Sequence, residues 1–232
     1  MKKNLSVLIP ALNEEMTILE VVLSHHAVIE DFKNLEYEII ILNDGSSDRT
    51  GSLLQEQFSD DPKVRLVENT SPSGIANAYS QLTGLATGEW IYFTSADGQF
   101  PAECLGKLLQ RIENGADLIV GDRSNRFEVY SFRRVVISWS YRKLSQLLFG
   151  LDPVDAGSVK LVRSSCMPAA FHSKSVARDL ELILHIFKSN RRVEFVPVPF
   201  HVRSHGQESG NSSRLVLKTF FDILRLRILW SK

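Results

Sequence analysis

The first half of the chain alternates short, mostly apolar runs with segments of helical spacing. The runs lie at residues 5–10, 38–42, 64–68, 90–94 and 117–121. Helices are predicted between them, over about 14–26, 47–58, 74–85 and 101–114, with Asn13 as the cap of the first and Ser47 or Asp48 as the cap of the second. Runs that do not alternate with polar residues suit strands covered on both faces. Strands separated by helices imply a mostly parallel sheet, hence an α/β fold with helices on both faces.

In such sheets ligands bind beyond the carboxyl ends of the strands. Residues 10–14, 43–48, 95–99 and 122–123 all fall at those ends, so four polar clusters converge on one rim. The second half reads differently. A basic-aromatic helix is predicted over 129–149, a strand ending at Val162, a helix over 176–189, and strand material over 193–202 interrupted by Pro197 and Pro199. A polar, turn-rich loop follows at 204–213, and a helix over 214–230. No repeat or linker divides the 232 residues, a length that suits one sizeable α/β domain.

Bulk properties exclude several classes. Lys+Arg and Asp+Glu both number 27, so the basic excess of a nucleic-acid binder is missing. Cys104 and Cys166 have no metal-site spacing and read as free thiols in a reducing compartment. The run at residues 5–9 is too short for a signal peptide, and no window of 18 apolar residues predicts a membrane span. A cytoplasmic protein is expected, with peripheral contact at the inner face of the membrane left open.

The chemistry concentrates at TSADGQF, residues 94–100. A carboxylate at the end of a buried strand is costly unless something compensates it. Asp97 and the amide oxygen of Gln99 can do so by holding Mg²⁺ or Mn²⁺, with diphosphate oxygens completing the shell. A helix-capping turn ahead of Pro101 accounts for the same residues. In NDGSSDRT, residues 43–50, Asp44 can accept hydrogen bonds from a base or ribose, while Ser47 and Asp48 suit capping. In PALNEE, residues 10–15, Glu14 is either a ligand group or a first-turn helix charge.

In this order and spacing, PALNE, NDGSSDRT and SADGQF resemble the family 2 glycosyltransferases, and most of all the dolichol- or polyprenyl-phosphate sugar synthases. The resemblance runs over residues 5–206 and is firmest over the first 125. It implies a GT-A fold, a nucleotide-sugar donor, a divalent metal, and inversion at the sugar carbon. It divides the single domain into a donor half (1–125), an acceptor half (126–212) and a C-terminal amphipathic helix (213–232). It also assigns roles. Pro10, Leu12, Glu14, Leu42, Asp44, Ala96 and Asp97 match donor-binding positions, and Asp97 and Gln99 match metal ligands. Arg123 matches an arginine that meets phosphate, and Arg203 one that reaches the diphosphate from a C-terminal loop.

The chain departs from the family pattern in places. Ser95 stands where the first carboxylate of Asp-Ala-Asp-Gly is usual, Asn43 replaces an aspartate, Leu12 an aromatic residue, and the Ser-Lys pair expected after Gly206 is missing. Arg214 is a candidate for the absent cation. A phosphate acceptor needs cations more than a base, because its second pKa lies near 6. Arg123, Arg126, Arg133 and Arg134 are the candidates, beside the apolar residues 135–137 and Trp139. A solvated basic helix face fits them too. A saccharide hydroxyl would instead need a general base, Asp155 or Asp179.

The last helix places Leu217, Phe220, Phe221, Leu224 and Ile228 on one face, for packing on the domain or lying on a bilayer. Three other readings are weighed. A nucleotidyltransferase would prefer a Gly-rich basic loop after the first strand. Ser95 motivates a nucleotide-sugar-binding protein without turnover. A dehydrogenase lacks its GxGxxG.

Overall fold

The computed structural model describes residues 3–123, 125, 129–130, 132–150, 155–203 and 213–230. Arg126, the segment at 204–212 and the side chain of Arg214 lie outside the described residues. All seven strands join one sheet in the order β3-β2-β1-β4-β6-β5-β7. The first four are β1 (Lys3–Ala11), β2 (Leu35–Asp44), β3 (Val64–Asn69) and β4 (Trp90–Phe93). The others are β5 (Leu118–Arg123), β6 (Lys160–Arg163) and β7 (Val193–Val198). β6 runs antiparallel to both β4 and β5, and the other pairings are parallel. The expected mostly parallel α/β sheet is therefore present.

Helices cover both faces. The first layer includes α1 (Ile18–Glu30), α2 (Thr50–Phe58) and α4 (Glu103–Leu109). Their apolar side chains pack with Leu5, Val7, Ile9, Ile39 and Ile41. The other face takes Leu8, Ile40 and Leu42 against α3 (Ile75–Leu85) and α6 (Ala177–Lys188). Successive residues of β1 and β2 are thus buried on opposite faces, as runs that do not alternate with polar residues require. Two further helices, α5 (Phe132–Phe149) and α7 (Ser213–Trp230), pack against each other at one end.

The boundaries correct the sequence reading in three places. Asn13 does not cap α1, which begins a turn later at Ile18. Asn13 instead adopts a left-handed backbone (φ 55°), and its Oδ1 accepts from the Ser47 N–H at 2.8 Å. That bond ties the turn after β1 to the turn after β2. The helix predicted over 101–114 ends at Leu109 and continues as a 3₁₀ turn at Ile112–Asn114. The second helix begins at Thr50 with Arg49 in the cap position, so neither Ser47 nor Asp48 caps it; Asp48 sits one residue ahead and its Oδ1 accepts from the Thr50 N–H at 2.9 Å. Gly45 is required by its turn. It sits at φ +73°, and a Cβ there would lie 2.6 Å from the Ser71 carbonyl carbon.

One core residue links stability to pH. His25 is 1% exposed, and its Nδ1 donates to the Val21 carbonyl at 2.7 Å. Burial lowers its pKa from 6.5 to about 4, so the folded protein keeps it neutral. The unfolded chain takes up this proton near pH 6.5. The stabilising difference is therefore full above 6.5 and is lost as pH falls toward 4. We expect His25→Leu to shrink the stability lost between pH 7 and pH 5 by about 2 kcal/mol, measured by urea unfolding at both pH values. An unchanged pH slope would contradict this assignment.

Candidate active site

The rim is built from strand ends. β1 leads through Leu12 to Glu14, β2 ends at Asp44, β4 leads to the 94–99 turn, and β5 ends at Arg123. The turns are braced to one another rather than lying loose. The Glu14 N–H donates to Thr50 Oγ1 at 2.8 Å, and the Glu15 N–H to Asp48 at 3.2 Å. Thr17 Oγ1 donates to the Ala96 carbonyl at 2.7 Å, which anchors the Asp97 turn to the start of α1. Tyr79 anchors the other side, its hydroxyl donating to the Thr94 carbonyl at 2.6 Å.

Asp97 is half-buried. Its Oδ1 accepts from Ser95 Oγ at 2.7 Å and from the Gln99 N–H at 3.1 Å. Both donors fall on the same oxygen, which orients the carboxylate. Gln99 is also fixed. Its Nε2 donates to the His201 carbonyl at 3.2 Å, and the His201 N–H returns to the Gln99 carbonyl at 2.9 Å. A carbonyl acceptor demands the amide nitrogen, so Oε1 remains as an acceptor. One carboxylate and one amide oxygen make an all-oxygen donor set that fits Mg²⁺ or Mn²⁺ once a diphosphate supplies more. Among the described residues, no group of three or more His, Cys, Asp or Glu could hold a metal by itself.

Glu14 and Arg203 meet across the cleft as a hydrogen-bonded ion pair. Burial raises the Glu14 pKa above its ordinary value, Arg203 pulls it down, and the nearby charge of Asp97 pushes it up. Glu14, Asp97 and Arg203 are thus brought into one electrostatic neighbourhood. Asp44 is 4% exposed and faces protein donors. Its carboxylate takes the Asn69 amide at 2.7 Å, the Ser73 N–H at 2.9 Å and the Gly74 N–H at 3.0 Å. Burial raises its pKa, but these bonds outweigh it and hold the net value below the ordinary one. It organises the loop that enters α3. Pro10 pairs in register with Leu42 within the sheet. Leu42 is fully buried in the core, whereas Leu12 is 40% exposed.

The acceptor candidates separate. Arg123 is 8% exposed and forms a buried ion pair with Asp155, 4% exposed, through Nε at 2.7 Å and also through Nη2. Its Nη1 donates to the Tyr130 hydroxyl, and its guanidinium carbon lies 5.0 Å from the Phe200 ring centroid. Burial opposes the charge, but Asp155 outweighs burial and raises the Arg123 pKa. Arg134 stacks on Tyr130 at 4.2 Å. Arg133 is exposed. Arg123, Asp155 and Arg134 line a cavity of about 610 Å³ that residues of α5 and α7 also line. Val136, Ile137, Leu144, Phe220 and Ile223 supply much of its apolar wall.

Both general-base candidates are ion-paired: Asp155 with Arg123, and Asp179 with Lys160 at 3.1 Å. Sequence reasoning did not find Thr17, Tyr79, Tyr130 or Phe200. None carries a motif; Thr17, Tyr79 and Phe200 act through contacts with distant parts of the chain, and Tyr130 through Arg123 and Arg134 nearby.

The family model for glycosyl transferase family 2 matches residues 6–167, more than half of the chain. The chain belongs to glycosyl transferase family 2. The family 2 chain is 28% identical over 229 residues to the dolichol-phosphate mannosyltransferase of Pyrococcus furiosus, covering 95% of this chain and 61% of that protein. It therefore spans less than two thirds of that relative's length. It is 28% identical over 227 residues to the polyprenol monophosphomannose synthase of Mycolicibacterium smegmatis, covering 90% of this chain and 82% of that protein. In fold, it resembles glucosyl-3-phosphoglycerate synthase of Mycobacterium tuberculosis, crystallised with Mn²⁺, UDP and phosphoglyceric acid. The TM-score is 0.72 at 19% identity, over 95% of this chain and 78% of the other. This is the GT-A fold expected from the sequence.

Proposed function

We propose that this protein is a metal-dependent, inverting glycosyltransferase that moves a sugar from a nucleoside diphosphate onto a polyprenyl phosphate. The observation that carries the acceptor is the cavity lined by residues of α5 and α7, apolar along its wall and also lined by Arg123, Asp155 and Arg134. An isoprenoid chain fits an apolar wall, and a phosphate fits arginines. The mannosyltransferase relatives named for dolichol and polyprenol phosphates support the same class.

Donor binding falls to the rim. The backbone of Pro10–Glu14 and the loop held by Asp44 line the nucleotide side. Asp97 and Gln99 would hold Mg²⁺ or Mn²⁺, which supplies charge neutralisation for the departing diphosphate. The chain's own residues do the remainder. Thr17, Ser95 and Gln99 keep Asp97 oriented, and Arg203 exchanges Glu14 for diphosphate oxygens. Arg123 is held in place by Asp155 and Tyr130 and offers a guanidinium whose charge Asp155 offsets, and Arg134 adds a cation beside it. A doubly ionised phosphate attacks without a base.

The pairing of Asp155 with Arg123 and of Asp179 with Lys160 occupies both general-base candidates, which favours a phosphate acceptor over the alternative saccharide hydroxyl. The helices also support peripheral contact with a membrane surface. Phe132, Val136, Trp139 and Leu147 recur at helical spacing along α5 and are exposed. On α7 the residues that pack inward are Thr219, Ile223 and Leu226, leaving Leu217, Phe220, Phe221 and Ile228 outside. Of the alternatives open in the sequence, lying on a bilayer fits these exposures better than packing on the domain. No helix among the described residues is long and apolar enough to cross a membrane.

The test is transfer of label from a panel of nucleoside-diphosphate sugars to polyprenyl phosphate in detergent, with Mn²⁺ or with chelator. Lipid-linked product that requires the metal supports the proposal. Binding without turnover across all acceptors would replace it with the binding-protein reading. Arg203→Ala is expected to slow transfer roughly 100-fold while weakening bare nucleotide binding less than about threefold. Equal losses in both would remove Arg203 from the diphosphate.

A further inference from the structure

The charge around Asp97 is too low to hold a divalent cation well by itself. The neighbourhood contains the Asp97 carboxylate, the Glu14 carboxylate and the Arg203 guanidinium. Arg203 is bonded to Glu14, so the formal sum of the three is one negative charge. One Asp97 oxygen already takes two hydrogen bonds, from Ser95 Oγ and the Gln99 N–H. Gln99 adds an amide oxygen with no formal charge. A hard dication prefers several anionic oxygens, and a nucleoside diphosphate brings them.

We propose that Ser95 is a positioning residue that sets an order of binding: the cation enters together with the nucleotide diphosphate, and the protein alone holds it weakly. The inference rests on the functional reading above and adds to it. Ser95 stands two residues before Asp97, and its hydroxyl donates to Oδ1 at 2.7 Å. It therefore aims Asp97 and draws on its electron density without adding charge of its own. A carboxylate at position 95 would double the charge of the turn and could not donate a hydrogen bond. It would make a site that captures the cation before the nucleotide arrives.

The test measures Mn²⁺ affinity by water-proton relaxation enhancement, which reports ions immobilised on protein. Titrations use MnCl₂ alone and MnCl₂ with saturating UDP or GDP, on the wild type, Ser95→Asp and Ser95→Asn. Thermal melting checks that each variant is folded. The wild type should bind Mn²⁺ at least about tenfold more tightly with nucleotide than without. Ser95→Asp should tighten binding of Mn²⁺ alone by about tenfold or more and narrow that ratio. Ser95→Asn, of nearly the same size and uncharged, should leave Mn²⁺ alone weakly bound and keep the ratio wide.

Equal Mn²⁺ affinity with and without nucleotide in the wild type would overturn the binding order while leaving the glycosyltransferase reading intact. Equal tightening by Ser95→Asn and Ser95→Asp would overturn the charge argument. If Ser95→Asp does not fold, Ser95→Asn and the wild-type ratio still decide. No Mn²⁺–nucleotide binding with either nucleotide, in wild type or variants, would overturn this inference together with the functional reading.

Discussion

Asp97→Ala is expected to lower kcat/KM for sugar transfer by about 10³-fold, because a bound cation supplies several kcal/mol of charge stabilisation in the transition state. The melting temperature should change little. Asp97 is half-buried and at the rim, and its hydrogen bonds are to its own turn, from Ser95 and Gln99. The turn keeps its outer anchors, Thr17 to Ala96 and Tyr79 to Thr94. Asp97→Asn separates geometry from charge, since it keeps the shape and an oxygen but loses the carboxylate. Its loss should be nearly as large, and stimulation by Mn²⁺ should disappear in both variants. Steady-state kinetics with and without metal check this. Wild-type turnover in Asp97→Ala would remove the residue from the reaction.

The second large effect is on stability. Asp155→Ala leaves the Arg123 guanidinium buried among Phe100, Tyr130 and Phe200 without its carboxylate. Removing one partner of a buried ion pair costs about 3–5 kcal/mol. For a chain of this length that is a fall in melting temperature of roughly 6–20 °C. The double variant Arg123→Met/Asp155→Leu should recover most of the loss, because no charge is then stranded. Yet the double variant should transfer poorly to a lipid phosphate, as the cavity has lost a guanidinium from its lining. Chemical unfolding and lipid-transfer assays on the same proteins separate the two roles. Asp155→Ala with wild-type stability would show that the pair does not hold this corner together.

These expectations draw unequally on the sequence. Asp97, Glu14 and Asp44 were legible because each follows a mostly apolar run, and such runs end at the ligand rim of a parallel sheet. What each carboxylate does was not legible. Asp44 read as a ligand for base or ribose, and the fold adds three protein donors to its carboxylate, from Asn69, Ser73 and Gly74. Arg123 read as an arginine that meets phosphate, and the fold adds its pairing with Asp155, 32 residues away. Asn13 read as a helix cap, and it accepts instead from Ser47 on the neighbouring turn.

The amino-acid order alone determined which residues enter strands, which end them, and that the strands lie parallel between helices. Those properties follow from local periodicity and chain connectivity, which are written residue by residue. Only the tertiary structure decided which side chains pair, that β6 is antiparallel between β4 and β5, and that α7 buries Thr219, Ile223 and Leu226 while Leu217, Phe220, Phe221 and Ile228 stay exposed. Contacts between distant segments depend on how whole layers dock. A helical period states how apolar a face is, but not which neighbour covers it.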